Sequence, residues 1–337
     1  MSGRGNSSTT EDRSKDFRRL LLAWYDANAR DLPWRQGHDP YRVWISEIML
    51  QQTRVAAVIE HYHEFLRRFP TVQRLARAHQ PSVLAAWSGL GYYRRARMLH
   101  AAAKVIAMER GGRFPQSSRE WLELPGIGRY TASAIASIAF GEPVAVVDGN
   151  VERVLQRFSG QRLSGEQFWK TAEELLDHQR PGDFNQAMME LGAMVCTPRA
   201  PGCLMCPVVE LCATRGEMPA SGKMQRQHKR EIHYGLQIRD GHIFLVQRPT
   251  DSTLMASMWE LPELRRPEKV GPPLLTVRHS ITVTDYTVRV WTLNRARNGR
   301  GKWFSDSSLS KIPLTGLTRK ILRKAGISPA ANPQSRN

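Results

Sequence analysis

Cysteine is scarce in this chain. There are four in 337 residues, and all four fall between Cys196 and Cys212. That usage argues against a disulfide scaffold and for one metal site in a reducing compartment. Acidic residues are short as well, 31 against 49 Lys and Arg, which leaves a net charge of +18 and favours a polyanionic partner. No segment is apolar for the length of a membrane span, and residues 1–15 lack the apolar run of a secretory signal. A membrane is therefore not an expected partner, and the cytoplasm is the expected compartment. Internal repeats are absent too, which excludes a solenoid.

The polar residues 1–15 read as a disordered tail. From residue 16 the apolar spacing is helical, with helices expected over 16–29, 40–55, 61–68, 72–77, 81–87, 99–109, 117–122, 130–139, 151–158, 166–178 and 184–195. Residues 16–195 thus form an all-helical domain, followed by a cysteine loop over 196–214. Residues 215–233 are polar and basic, a linker by composition. The period then changes. Y-G-L-Q-I-R, H-I-F-L-V-Q-R, W-E-L-P and Y-T-V-R-V-W-T-L favour strands, and a closing helix stops at Gly326. Residues 234–326 therefore form a small α+β domain, and 327–337 a second tail. The charge is uneven: residues 223–337 carry 21 basic and 8 acidic side chains, against 28 and 23 in residues 1–222.

The chemistry concentrates in 124–157. In L-P-G-I-G-R-Y, Pro125 ends one helix and Gly126 and Gly128 permit a tight turn before the next. The backbone amides of such a turn, at a helix N-terminus, suit one phosphate. The apolar run V-A-V-V then stops at Asp148-Gly149-Asn150. Asp148 reads equally as a helix N-cap or as a carboxylate placed for chemistry. Earlier, Y-R-V-W-I-S-E-I-M-L-Q-Q is nearly all apolar yet carries Glu47, and a buried carboxyl needs a partner or a raised pKa. Leu50 and Gln51 share its helical face, and Gln51 and Gln52 close the run with hydrogen-bonding groups. G-L-G-Y-Y-R-R-A-R (89–97) joins a glycine turn, two tyrosines and three arginines. That set suits base stacking and phosphate contact, or equally a core plug with solvated arginines. The cysteines, spaced C-x6-C-x2-C-x5-C, fit a tetrahedral zinc ion or a cubane iron–sulfur cluster, and the spacing decides neither. Arg199 lies on the proline-stiffened loop between the first two.

These segments together resemble the helix–hairpin–helix DNA glycosylases that carry an iron–sulfur cluster, and within them the adenine DNA glycosylases of the MutY type. The resemblance rests on L-P-W-R at 32–35, S-E-I-M-L-Q-Q-T-R-V at 46–55, G-L-G-Y-Y at 89–93, L-P-G-I-G-R-Y-T-A at 124–132, V-D-G-N-V-x-R-V at 147–154 and the cysteine spacing, in order. It implies an all-α helix–hairpin–helix glycosylase domain with a cluster loop, then a small α+β Nudix-like domain that L-V-Q-R-P and W-E-L-P resemble. It implies Glu47 as general acid and Asp148 as the carboxylate that stabilises the sugar cation, with Tyr130 and Asn150 assisting. It places Arg30, Trp34 and Glu190 at the adenine pocket. Leu50, Gln51, Gln52, Tyr92, Gly126, Gly128 and Arg199 fall on the DNA. Cys196, Cys203, Cys206 and Cys212 become ligands of a [4Fe–4S] cluster. The implied partner is double-stranded DNA containing an adenine mispaired with 8-oxoguanine or guanine, and the implied protein a bacterial, nucleoid-associated monomer.

Endonuclease III-type relatives carry a lysine nucleophile where this chain has Tyr130, so base removal without a strong lyase step is expected. The chain departs from the family in the C-terminal domain. Where the family has Phe-Ser-His, this chain has Ile281-Thr282-Val283, and only Thr282 keeps a hydroxyl for the opposing base. The 14 residues between W-E-L-P and V-R-H-S are short for a Nudix helix and hold no run of glutamates for Mg²⁺. The rival readings are a glycosylase for mispaired thymine or uracil, and a non-catalytic iron–sulfur DNA-binding protein.

Overall fold

A computed structural model describes residues 10–217, 228–252, 255–264, 272–281, 284–293 and 301–327. Along the chain run α1 (Thr10–Asn28), α2 (Pro40–Leu50), α3 (Val55–Arg68), α4 (Val72–Arg77), α5 (Gln80–Ala86), α6 (Arg94–Lys104), α7 (Ser118–Leu122), α8 (Arg129–Phe140), α9 (Gly149–Ser159), α10 (Glu166–Leu175) and α11 (Pro181–Met194). Then come β1 (His228–Leu236), β2 (Ile238–Arg239), β3 (His242–Gln247), β4 (Trp259–Glu260), β5 (Leu275–Ile281), β6 (Thr284–Thr292) and β7 (Gly301–Ser305), before α12 (Asp306–Leu309) and α13 (Gly316–Lys324). The chain divides into two compact units: Met1–Val55 with Val105–Gly222, and Ala56–Lys104 with Lys223–Asn337.

In the first unit α11 packs against α1, α8 and α9, and α2 packs against α8. Phe17, Leu21, Val151, Leu155, Phe184 and Leu191 build one shared core. Burying an apolar side chain of this size contributes about 1.5–3 kcal/mol. Helix α1 begins at Thr10, six residues before the expected helix start at residue 16. Glu11 and Asp12 lie in its first turn, where the helix dipole favours acids. Arg13 donates to the carbonyls of Leu211 (2.6 Å) and Phe158 (3.2 Å) and lies 4.5 Å over the Phe158 ring. These partners are nearly 150 and 200 residues distant, so composition alone could not reveal the anchor.

In the second unit, the segment 56–104 folds as α3–α6, where Phe65 and Trp87 meet edge to face at 5.8 Å. The rest is sheet-rich. Strands β1, β6 and β5 form one sheet, with β1 parallel and β5 antiparallel to β6. Strands β2, β3 and β4 form another, with β7 on the other edge of β3. Helix α13 closes the core of Leu236, Leu245, Leu261, Val288, Leu314 and Ile321. Strand β1 begins at His228, inside the expected basic linker. A ladder from His228↔Thr284 to Leu236↔Thr292 holds it, and Glu231 pairs with Arg289 across the ladder at 2.9 Å. Charged residues masked the strand because this end of it is exposed, so no apolar alternation marks it. Residues 282 and 283, and with them the hydroxyl of Thr282, lie outside the described residues.

Candidate active site

Helix α2 starts on Pro40 behind Asp39, whose carboxylate accepts from the amides of Tyr41 (2.8 Å) and Arg42 (3.2 Å). From Tyr41 to Met49 every side chain but Arg42 is buried, so the helix carries Glu47 into the interior at 5% exposure. Its partner comes from the hairpin. Helix α7 ends at Leu122, Gly126 turns the chain with φ +76°, and Gly128 caps α8 with no side chain of its own. Tyr130 in the first turn of α8 then donates from its hydroxyl to Glu47 Oε2 at 2.8 Å and lies 3.4 Å from Met189 Sδ. Burial pushes the Glu47 carboxyl up to about 7. The Tyr130 hydrogen bond pulls it back, the charge of Asp148 adds to the rise, and Arg35 opposes it. Burial and the same two carboxylates hold the Tyr130 phenol well above its usual value, so it is a neutral donor.

Asp148 is the N-cap that one of its readings expects, and it lies close enough to Glu47 to act on it electrostatically. It caps α9, with Oδ1 accepting from the amides of Asn150 (2.9 Å) and Val151 (2.8 Å). Its Oδ2 accepts from Asn150 Nδ2 at 2.9 Å, and its charge is felt at Glu47. Asn150 in turn accepts from Arg153, which also donates to the carbonyls of Cys196 and Gly192, each at 2.7 Å. Close packing fixes Asn150 as well, since a Cβ on Gly192 would lie 2.6 Å from the Asn150 Cβ.

The expected pocket pair also meets. Arg30 grips Glu190 with two hydrogen bonds, 2.6 and 2.7 Å. Arg35 adds a third at 3.0 Å and holds Gln186 with its Nε. Burial would raise the Glu190 carboxyl, but Arg30 and Arg35 together hold it down at about 2. Trp34 is buried in the single turn Pro33–Arg35. Arg35, Gln186, Met189 and Arg153 escaped sequence reading. Arg35 sits in the quoted L-P-W-R run, but its partners are about 150 residues away.

Of the expected DNA contacts, Gln51 donates to Thr131 on α8 at 3.0 Å, Leu50 is half-buried, and Gln52 is exposed with φ +56°. Arg129 is held by Glu166 and by the Trp169 ring, 3.9 Å away, while Arg199 is exposed on its loop. In the second unit the two tyrosines of G-L-G-Y-Y divide: Tyr93 is buried and Tyr92 is 47% exposed.

Cys196, Cys203, Cys206 and Cys212 line one small cavity together with Arg157 and Gly216. Burial pushes the Cys206 thiol up to about 11, and the three other cysteines add to it, so four thiols share one electrostatic environment. Gly216, at φ +98°, passes where a Cβ would lie 2.8 Å from Cys203 Sγ. Among the described residues no three His, Cys, Asp or Glu side chains are close enough to hold a single ion. Four thiols around one cavity form a donor set that fits zinc and an iron–sulfur cluster alike.

Residues 45–178 match the family profile of the HhH-GPD superfamily base excision DNA repair proteins. An adenine DNA glycosylase of Homo sapiens is 50% identical over 214 residues, 59% of this chain and 39% of that protein. One from Buchnera aphidicola of Acyrthosiphon pisum is 34% identical over 266 residues, 75% of each chain. A thermostable thymine-DNA glycosylase of known structure is 31% identical with a TM-score of 0.58, over 62% of this chain and 99% of that one. The chain spans about two fifths of the length of the mammalian relatives it matches. With Glu47, Tyr130 and Asp148 gathered behind the hairpin and these likenesses across most of its length, the chain belongs to the adenine DNA glycosylase family of the HhH-GPD superfamily.

Proposed function

We propose that the protein takes an adenine mispaired with 8-oxoguanine or guanine out of duplex DNA and hydrolyses its N-glycosidic bond, without a strong lyase step. The observation that carries this reading is the buried Glu47 carboxyl, raised to about 7 and hydrogen-bonded by Tyr130. Adenine leaves poorly as an anion, so a ring nitrogen must be protonated. About half of the molecules hold that proton on Glu47 at pH 7. As the bond breaks, the deoxyribose gains positive character, and Asp148, kept in place by two amides and Asn150, supplies the opposing charge. The two carboxyls differ as the two roles require, one apolar and protonated, one capped by N–H donors. Tyr130 offers a neutral phenol where a lyase needs an amine.

Arg30 and Glu190, with Trp34, border the pocket for the flipped base. The amides behind Gly126 and Gly128 hold a phosphate, and Arg199 contacts the backbone. Leu50, Gln51 and Gln52 fill the gap that the base leaves, and Tyr92 stacks beside the opposing base. The four cysteines hold a [4Fe–4S] cluster, which supplies a structural and electrostatic brace, and the sheet-rich region is a Nudix-like DNA reader. The protein acts as a monomer on the bacterial nucleoid.

Purified protein is incubated with 8-oxoguanine:adenine, guanine:adenine, guanine:thymine and guanine:uracil duplexes, then alkali. Strand breaks at adenine that depend on alkali are expected. The likeness to a thymine-DNA glycosylase favours the rival target, and faster release of thymine than of adenine would establish it.

A further inference from the structure

The G-L-G-Y-Y turn is held from the C-terminal part of its own unit. Ser88 and Tyr93 flank the turn, and both are buried. Their hydroxyls converge on one acceptor, the carbonyl of Leu314: Tyr93 Oη donates at 2.9 Å and Ser88 Oγ at 3.2 Å. A carbonyl has two lone pairs and accepts both. Leu314 is itself fixed, because Trp259 donates to Pro313 at 2.8 Å and accepts from Thr315 at 3.0 Å. Beside these, an Arg97 guanidinium donates to the carbonyl of Ala256.

Between the two hydroxyls the backbone is strained. Gly89, Gly91 and Tyr92 have φ of +116°, +71° and +48°. A tyrosine rarely adopts that last value, and such backbone persists only where its surroundings over-determine it. Here Trp87 Nε1 and Arg95 donate to the Gly91 carbonyl, and Arg95 lies 5.4 Å from the Tyr92 ring. The strain presents Tyr92 to solvent while its neighbour is buried.

We propose that Ser88 and Tyr93 are positioning residues, a pair of hydroxyls through which the Leu314 carbonyl holds the Tyr92 ring ready to enter the duplex. The inference rests on Tyr92 being the stacking residue. Mismatch recognition then depends on a contact more than 220 residues away in sequence.

Full-length Ser88→Ala/Tyr93→Phe is compared with the unaltered chain and with both forms carrying Tyr92→Ala. The readouts are affinity for mismatched over fully paired duplex, and fluorescence of 2-aminopurine placed at the opposing base. A loss of discrimination of about fivefold or more in the double variant, with dequenched 2-aminopurine, is expected. Little further loss should follow once Tyr92 is already alanine, because the hydroxyls act through that ring. Undiminished discrimination and quenching in the double variant, while Tyr92→Ala lowers both, would overturn the latch. An equal loss in both backgrounds would overturn it too. If Tyr92→Ala changes nothing, the stacking reading fails first, and the latch with it. Should the double variant fold poorly, Tyr93→Phe alone, which keeps the ring and the Ser88 bond, is taken through the same cycle.

Discussion

Replacing Glu47 by glutamine tests the raised carboxyl independently of any assumption about DNA. The side chain keeps its size, and its carbonyl can still accept from Tyr130. In the native protein the carboxyl is moved from 4.5 to about 7 by burial, so folding favours its protonated form. That preference is fully present below pH 4.5, where both folded and unfolded chains hold the proton, and is lost as pH rises through 7. At about 1.4 kcal/mol per pH unit, the ionised Glu47 costs the folded state about 3 kcal/mol above pH 8. Glu47→Gln does not titrate. Its stability relative to the unaltered protein should therefore improve by about 2.5 kcal/mol between pH 5 and pH 8.5. Any constant offset from burying an amide cancels from that difference. Urea denaturation at a series of pH values measures it. Single-turnover adenine release at saturating protein should be level below pH 6, half-maximal near pH 7 and fall tenfold per pH unit above 8. The variant should lose at least about a hundredfold in rate while still binding duplex. A stability difference unchanged with pH would refute the raised carboxyl, and substantial turnover in a clean preparation would remove Glu47 from the acid role.

Tyr130→Phe removes the hydrogen bond that pulls the Glu47 carboxyl down, so the alkaline limb of the rate profile should move to higher pH. Asp148→Asn removes the charge that pushes it up, so the same limb should move to lower pH as the rate falls; shifts of equal sign would contradict the arrangement. Glu190→Gln leaves Arg30 and Arg35 without their anion. A buried pair broken on one side costs about 3–5 kcal/mol. Arg30 is 36% exposed and screened, so on the order of 2 kcal/mol is expected in urea denaturation above pH 5. Because Glu190 is held at about 2, that deficit should shrink as pH falls from 4.5 toward 2. Cys203→Ser should yield protein without iron and with weaker duplex binding, read by metal analysis and filter binding. Stoichiometric zinc in the anaerobically purified native protein would overturn the cluster.

Helix α2 was legible because its apolar run is long and one acid stands out in it. The hairpin was legible because proline and two glycines punctuate it, and the cysteine loop because cysteine is otherwise absent. Tyr92 and Tyr93 were not separable, since two adjacent aromatics in a turn have no period from which to tell inside from outside. The tail and the linker were misread for a related reason. Thr10 to Lys15 and His228 to Glu231 are polar, and their order comes from partners about 150 residues away for Arg13 and about 55 residues away along the β1–β6 ladder.

Local and chemical features are written in the chain: a carboxyl on an apolar helix, a turn that exposes amides, an acid opening a basic helix, four thiols within 17 residues. Each depends on neighbours within a turn or two of chain. What each group experiences is set by the folded packing around it. Glu47 is raised to about 7 because the packing of α2 against α8 buries it, which outweighs the downward pull of the hydrogen bond from Tyr130, 83 residues away. Glu190 is held at about 2, although it too is buried, because two arginines reach it from 155 and 160 residues away. Two glutamates of one intrinsic acidity differ by some five pH units, because electrostatics inside a protein follows distance in space and loss of water rather than distance along the chain.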